Sequence, residues 1–148
     1  DVFTDLGSGI GNVVLQVFAN TPVRIARGIE YIDGRHLIAV QLGEKLKSKY
    51  KVDPARQLLF VKGDMCVEDF SDSTIVLATS QCFSPSLMNC IWERSSKLPR
   101  LRYLVTMKPL PAKPKLKLKL LGEVPLETSW SPAETYFVYS NAPGTTLI

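Results

Sequence analysis

The first twelve residues, DVFTDLGSGIGN, constrain the fold more than any other stretch of the chain. A short apolar run over 2–6 leads into three alternating glycines, Gly7, Gly9 and Gly11, and an amphipathic segment beginning NVVLQVF follows at once. This order predicts a strand, a glycine loop and a helix, because glycine permits positive φ and lets a ligand approach the backbone closely. The unpaired N–H groups at the start of the helix would present hydrogen-bond donors to that ligand.

The spacing of the glycines discriminates between ligands. A dinucleotide fingerprint, G-x-G-x-x-G, would require glycine where the sequence has Asn12, and a P-loop would require a lysine that is absent after this loop. Instead, an acid, Asp5, precedes the first glycine. A carboxylate there would repel a pyrophosphate but would attract a cationic amino-acid group. The pattern therefore favours a small cofactor with an amino-acid moiety, and an ordinary turn after a buried strand is the alternative.

Composition limits the class of protein. The chain has 148 residues, of which 45% are hydrophobic and 22% charged, as expected for one globular domain, and no apolar run approaches a membrane span. We therefore expect a soluble, intracellular protein without membrane contact. The odd number of cysteines, Cys66, Cys82 and Cys90, argues against a disulfide framework, and one histidine, His36, argues against a metal site. The net charge of +4 permits an anionic partner without identifying one.

Apolar patterns along the rest of the chain predict alternating helices and strands. The first elements expected are a helix from Asn12 to Asn20, then a strand within the stretch 24–32 that ends near Glu30, and then a helix over 34–50. They are followed by strands over 57–62 and 73–78, a helix over 85–98 and a strand over 100–107. In the helix over 34–50, the apolar face is expected to carry Leu37, Ile38, Leu42 and Leu46. The alternation predicts an α/β fold with a mostly parallel, Rossmann-like sheet and helices on both faces.

The C-terminal part has a different pattern. It contains KPKLKLKLLGEVPL and then ETYFVYSN, with no helical segment between them, which predicts an antiparallel hairpin. Alternation places Lys113, Lys115, Lys117 and Lys119 on one face of the first strand. Those lysines are either a nucleic-acid surface or a solvated strand edge, and the sequence leaves both interpretations open.

Acidic residues also follow the second and third predicted strands. Ligands of doubly wound sheets bind beyond the carboxyl ends of the strands, so these positions are candidates for the same site as Asp5. Glu30 ends the second strand, where it could accept both hydroxyls of a ribose. Asp64 and Met65 follow the third strand, where they could accept from an adenine amino group and pack on the ring. Together with the glycine loop, they predict an adenosine-containing cofactor.

These motifs resemble those of the Dot (disruptor of telomeric silencing) family of histone lysine methyltransferases, and more broadly those of class I S-adenosylmethionine-dependent methyltransferases. The opening run is the strongest similarity, and shorter ones follow in order along the chain. They are GIE at 28–30, GDM at 63–65, CFSP at 82–85, MKP at 107–109, SW at 129–130 and TYFVY at 135–139. The resemblance implies one methyltransferase domain over 1–148, and we expect that the family's N-terminal part is missing from these residues.

The resemblance further implies methyl transfer from S-adenosylmethionine to a lysine of histone H3 in nucleosomes, in the nucleus, with nonspecific DNA contact through basic residues as a further expectation. The residues expected to contact the cofactor are Asp5, Gly7, Ser8, Gly9, Gly11, Asn12, Glu30, Asp64 and Met65. Phe83 and Tyr136 match aromatic positions that line the family's lysine channel. Such a channel would favour the neutral form of the lysine amine by desolvation.

One departure bears on activity. Where the family carries Asn-Asn-Phe after the fourth strand, this chain has Thr79, Ser80 and Gln81. The hydroxyl of Thr79 or Ser80 could still accept a hydrogen bond from the reacting amine, so both are candidate catalytic residues. Two alternatives remain open: a class I methyltransferase acting on RNA or a non-histone protein, and an inactive, cofactor-binding module of chromatin.

Overall fold

The computed structural model describes residues 1–110, 117–128, 131–144 and 146. The strands are β1 (Val2–Leu6), β2 (Ile25–Glu30), β3 (Gln57–Lys62), β4 (Ile75–Ala78), β5 (Tyr103–Thr106), β6 (Lys119–Leu126) and β7 (Glu134–Ser140). The helices are α1 (Asn12–Asn20), α2 (Asp33–Lys49) and α3 (Pro85–Ser95), with a 3-10 turn over Ser80–Cys82. None of these described helices is long and apolar enough to cross a bilayer.

The described strands form one seven-stranded sheet in the order β3-β2-β1-β4-β5-β7-β6. Strands β1 to β5 run parallel, and β7 is inserted antiparallel between β5 and β6. The predicted α/β fold, with a parallel sheet and an antiparallel C-terminal pair, is confirmed. Strand order reverses direction at β1, because β2 and β4 flank it on opposite sides. Ligands of doubly wound sheets bind at such a switch point, beyond the carboxyl ends of the strands.

Two hydrophobic clusters cover the two faces of the sheet. On one face, Val14 and Phe18 of α1 pack with apolar side chains of β1, β2 and β3. On the other face, Met88, Ile91 and Trp92 of α3 pack against β4 and β5. These α1 and α3 residues recur three or four positions apart, so they lie on one side of each helix, and that side is buried against the sheet.

The prediction for α2 was wrong for the first half of its apolar face. Leu37 and Ile38 are 59% and 44% exposed, whereas Ala39 and Gly43 are buried. Leu42 and Leu46 are partly buried, and Leu46 packs against the core cluster that contains Val14 and Phe18. The ring of Phe60 on β3 explains the choice of small residues, since a Cβ on Gly43 would lie only 3.0 Å from it. The helix therefore approaches the sheet closely through residues that have little side chain, while Leu37 and Ile38 face outward.

The hairpin strands also differ from the sequence prediction. Strand β6 begins only at Lys119, and Lys117 is exposed just before it. Lys113 and Lys115 lie outside the described residues, so the predicted lysine face is described only at Lys117 and Lys119.

The expectation against a disulfide was wrong for one pair of cysteines. Cys66, after β3, is bonded to Cys90 in α3, with their Cα atoms 6.0 Å apart. Cys82 is the free, exposed cysteine. An odd count excludes only complete pairing, and the fold brings Cys66 and Cys90 together across 24 positions of sequence.

Candidate functional site

The glycine loop lies at the carboxyl end of β1, at the switch point of the sheet. Gly7, Gly9 and Gly11 all have positive φ, at 81°, 58° and 84°. The N–H groups of Gly7 and Ser8 donate to the carbonyl of Ile29 at 2.8 and 3.1 Å, so the loop folds back onto the end of β2. The tight turn that the sequence predicts is thus formed. Its conformation at the three glycines is one that other residues adopt only with strain.

Gly28 supports the loop from the neighbouring strand. Ser8 is buried, and a Cβ on Gly28 would lie 2.5 Å from the Ser8 Oγ and 2.8 Å from its Cβ. The sequence singled out Gly28 only as part of a short motif. The structure gives the physical reason, because the loop can occupy this position only against a residue without a side chain.

Substituting Gly28 with alanine is expected to destabilise the chain by about 1–3 kcal/mol, the usual cost of overpacking a buried site. Equilibrium unfolding in urea measures this change. Gly34→Ala is the matched control, because a Cβ at Gly34 meets nothing within 4 Å and the position opens a helix. Equal stability of the two variants would show that the packing between Gly28 and Ser8 is not restrictive.

Asp5 is a buried acid beneath this loop. It occupies β1 opposite Gly28 of β2, and its residue is 2% exposed. Its Oδ1 is buried without a hydrogen-bond partner among the described residues. Burial, and secondly the nearby Glu30 carboxylate, raise the pKa of Asp5 to about 7. A buried, unpartnered carboxylate is unfavourable unless a cation or a donor comes to it.

Glu30 ends β2 and connects it to the loop. It is also buried, and its Oε2 accepts the N–H of Gly9 at 2.8 Å while its Oε1 accepts the N–H of Ile32 at 2.8 Å. Each carboxylate oxygen has a second lone pair, so these bonds leave acceptor capacity for a ligand. The sequence predicts Glu30 as a ligand contact, but it does not predict that the same carboxylate holds the glycine loop in place.

Residues after β3 and β4 meet over the loop. A Cβ on Gly7 would lie 2.9 Å from the ring of Phe83 and 3.3 Å from the terminal methyl of Met65. Met65 is buried in the larger core cluster. Asp64 is exposed, and its Oδ1 accepts the N–H of Cys66 at 2.8 Å to close its own turn. The structure therefore places Met65 and Phe83 against the first glycine. Asp64, which precedes Met65 in the chain, lies at the surface.

Arg94 of α3 holds the segment that carries Met65. Its guanidinium donates to the carbonyl of Cys66 and, at 2.6 Å, to that of Glu68, and it lies 4.9 Å from the centre of the Phe70 ring. Arg94 is not predictable from the sequence, because no local pattern marks an arginine whose partners are backbone carbonyls in a distant loop.

The segment after β4 corrects one candidate. Ser80 is fully buried, and its Oγ accepts the N–H groups of Met107 and Lys108 at 3.1 and 3.0 Å. A side chain engaged in this way is not accessible to a substrate amine, so Ser80 is a structural residue of the turn. Thr79, just before it, is half-buried. Lys108 makes a second hydrogen bond between the end of β5 and the segment after β4, because its Nζ donates to the carbonyl of Phe83 at 3.0 Å.

Tyr136 lies near the start of β7 and is 6% exposed. Burial raises its pKa, with smaller contributions from Glu134 and from Asp5. Because β7 runs antiparallel to β5, its start lies at the carboxyl end of β5, which is the edge of the sheet that carries the glycine loop. Asn12 is exposed at the first turn of α1.

No group of three or more potential metal ligands occurs among the residues that the structure describes.

The arrangement combines acidic and apolar side chains. Two buried carboxylates, Asp5 and Glu30, lie at the ends of adjacent strands, and Met65 and Phe83 pack against Gly7 of the loop between them. Such a site can stabilise a ligand that carries positive charge and hydroxyl donors, and its apolar side chains can cover a planar ring.

The family model described as "Histone methylation protein DOT1" matches residues 1–119. The chain belongs to the DOT1 family. The "Histone-lysine N-methyltransferase, H3 lysine-79 specific" of Drosophila melanogaster is 31% identical over 104 residues, which are 66% of this chain and 6% of that protein. The chain thus spans only a small fraction of this curated relative.

Solved structures of similar fold include methyltransferases. An RNA methyltransferase from Salinibacter ruber, in complex with S-adenosyl-L-homocysteine, has a TM-score of 0.65 at 20% identity, over 93% of this chain and 78% of that one. The tRNA methyltransferase TrmK of B. subtilis has a TM-score of 0.69 at 18% identity, over 95% of this chain and 60% of that one. At such identities the similarity establishes the fold of this DOT1 family member.

Proposed function

We propose that residues 1–148 form the S-adenosylmethionine-binding domain of a histone lysine methyltransferase whose substrate is a histone H3 lysine in nucleosomes. The observation that carries this proposal is the buried carboxylate of Asp5 at the glycine loop, whose Oδ1 has no hydrogen-bond partner among the described residues. Membership of the DOT1 family and the substrate of the fly relative support it.

The residues present fit this cofactor. Asp5, with its unpartnered oxygen, suits the cationic amino-acid part, and Glu30 retains lone pairs for the ribose hydroxyls. Met65 suits one face of the adenine ring, and Asp64 has a second carboxylate oxygen for the amino group. Ser8 and the glycines shape the loop, while Asn12 is exposed beside it.

When bound, S-adenosylmethionine would supply an electrophilic methyl group for transfer to a neutral amine, and S-adenosyl-L-homocysteine would leave with the electron pair of the broken carbon–sulfur bond. The chain's task is then to align the amine and to exclude water. An ordinary lysine with a pKa near 10.4 would pay about 4.6 kcal/mol to lose its proton at pH 7. Phe83 and Tyr136 would lower this cost by surrounding the amine with apolar surface, and the Thr79 hydroxyl would accept a hydrogen bond from it.

Two rival functions each have a supporting observation. The structural neighbours include RNA methyltransferases, so a different substrate is one rival. The burial of Ser80 leaves Thr79 as the remaining hydroxyl acceptor of the pair, which supports an inactive cofactor-binding module. A nuclear location and contact with nucleosomes are part of the main proposal.

The test combines a calorimetric titration of S-adenosylmethionine with a radiolabelled methyl-transfer assay on nucleosomes, free histones and RNA, using the full-length protein. Label on nucleosomal histone H3 supports the proposal. Label on RNA instead supports the first rival, and cofactor binding without transfer supports the second. Absence of cofactor binding would overturn the assignment of Asp5 and Glu30.

The Thr79→Ala variant is expected to lower kcat on nucleosomes by about 10-fold, since one hydrogen bond is worth roughly 1–1.5 kcal/mol. Its affinity for S-adenosylmethionine should be unchanged, because Thr79 is assigned to the amine. Thr135→Ala, at an exposed position of β7, is the control. Equal kcat for the two variants would remove Thr79 from the catalytic group.

A further inference from the structure

The segment over 63–70, called here the Met65 segment, follows β3 and carries Asp64 and Met65, which are assigned to the adenine end of the cofactor. None of the described helices or strands includes any part of it. Within the segment, the carbonyl of Asp64 accepts the N–H groups of Val67 and Glu68, each at 2.8 Å. Local bonds of this kind shape a turn but do not fix its place on the sheet. The position of Met65 therefore depends on contacts beyond the segment.

Helix α3 holds the Met65 segment through two connections that meet at one residue. Cys66 is bonded to Cys90, with their Cα atoms 6.0 Å apart. Arg94, four positions further along the helix, donates to the carbonyl of the same Cys66 and to that of Glu68. Residues four positions apart share a face of a helix, so both connections come from one side of α3. The residue that follows Met65 is therefore held by a covalent bond and a hydrogen bond.

The same helix begins beside the residues assigned to the substrate amine. Its inner face is buried in the larger core cluster, and Ser84 caps its first turn by accepting the N–H of Leu87 at 3.2 Å. Phe83 directly precedes this cap. Breaking the bond between Cys66 and Cys90 would therefore loosen the adenine side of the site while the capped start of α3 keeps its contacts.

Both cysteines lie where small molecules can reach them. Cys66 and Cys90 are half-buried rather than enclosed in the core. Thiol–disulfide exchange depends on such access. Inside cells, the glutathione pool keeps most thiols reduced, and the disulfides that do form there are usually transient or redox-sensing. The nuclear location that belongs to the proposed function places this bond in an environment of that kind.

We propose that Cys66 and Cys90 form a reversible redox site that sets the affinity for S-adenosylmethionine, an inference that rests on the proposed function. The oxidant is a small disulfide of the glutathione class. The thiolate of one cysteine attacks it, forms a mixed disulfide and releases one glutathione thiolate. The thiolate of the other cysteine then attacks the protein sulfur of the mixed disulfide, which forms the Cys66–Cys90 bond and releases the second. The cysteines lose two electrons and two protons, glutathione disulfide becomes two thiols, and reduced glutathione reverses both steps.

The bonded state binds the cofactor more tightly. The bond restricts the Met65 segment before the cofactor arrives, so that binding has fewer groups to order. Affinity for S-adenosylmethionine should be about 3- to 10-fold higher in the bonded state, which corresponds to the ordering cost of about one side chain. The KM for the amine substrate should change less, because Phe83 and the capped start of α3 do not depend on this bond.

The experiment is a calorimetric titration of S-adenosylmethionine into the full-length protein, equilibrated with either glutathione disulfide or reduced glutathione. Peptide mapping by mass spectrometry verifies the Cys66–Cys90 bond in each sample. The Cys66→Ser/Cys90→Ser variant should show the lower, reduced-state affinity under both conditions. Cys82→Ser is the matched control, because Cys82 is the free, exposed cysteine, and it should retain the full difference between the two conditions.

Amide hydrogen exchange over 63–70, measured on the same samples, should be slower in the bonded state. Equal affinities with the bond verified would overturn the proposal, and so would a difference that persists in the Cys66→Ser/Cys90→Ser variant or disappears in Cys82→Ser. If the cofactor binds in neither state, the proposed function fails together with the effect on affinity. Normal cofactor binding with the same affinity and the same exchange in both states overturns the redox site alone.

Discussion

The Asp5→Asn variant is expected to be more stable than the wild-type chain at pH 8, by on the order of 3–4 kcal/mol. Burial raises the pKa of Asp5 from 3.8 to about 7, so the folded chain holds a proton that the unfolded chain releases. The wild-type free energy of unfolding should therefore fall as the pH rises from about 4 to about 7, and then level off. Asparagine has nearly the same shape and does not ionise, which removes this loss.

Urea unfolding at pH 5 and pH 8 measures the effect. The difference between wild type and Asp5→Asn at pH 5 should be about two-fifths of that at pH 8. Asp33→Asn serves as the control, since Asp33 is exposed and makes a surface ion pair with Lys62. A stability difference independent of pH would contradict the assignment of the buried titrating group to Asp5.

The same substitution is expected to weaken cofactor binding. A cationic ligand is bound best by the ionised form of Asp5, so wild-type affinity for S-adenosylmethionine should increase as the pH rises through about 7. The asparagine variant should bind more weakly and lose this pH dependence. Calorimetric titration at pH 6 and pH 8 measures both, and stronger binding at pH 6 than at pH 8 would refute the proposed role.

The Glu30→Gln variant is expected to lose about 10- to 100-fold in affinity for S-adenosylmethionine, because charge-assisted hydrogen bonds are worth about 1.5–3 kcal/mol each. The Glu30 carboxylate accepts the N–H groups of Gly9 and Ile32. An amide has one oxygen, so its NH₂ group would face one of these donors. The glycine loop would then lose one of its anchors as well as a ligand contact.

Glu44→Gln is the matched control, since Glu44 pairs with Lys47 on the exposed surface of α2. It should bind the cofactor like the wild type. If Glu30→Gln also binds normally while the chain remains folded by circular dichroism, then Glu30 has only a structural role.

The sequence predicts the sheet and the location of the site because both depend on local patterns. The tight turn requires positive φ at alternate positions, where the sequence has glycine. The apolar spacing of Val14 and Phe18 determines which face of α1 is buried. The acids at the ends of β1 and β2 meet because parallel strands align their carboxyl ends at one edge. Information of this kind is available from neighbouring residues alone.

The features that the sequence does not predict depend on distant contacts. Gly43 of α2 faces the sheet because the ring of Phe60 from β3 fills the space opposite it. Arg94 holds backbone carbonyls in a loop that precedes it by more than twenty residues. Ser80 is engaged by the end of β5, which no pattern around Ser80 indicates.

The Cys66–Cys90 bond means that one sequence can yield two covalent forms that differ by two hydrogen atoms. In the bonded form, the residue next to Met65 is joined to α3, and in the dithiol form that connection depends on Arg94 and on packing alone. Preparations made with and without a reducing agent are therefore different samples. Measured affinities are comparable only when the thiol content of the protein has been determined.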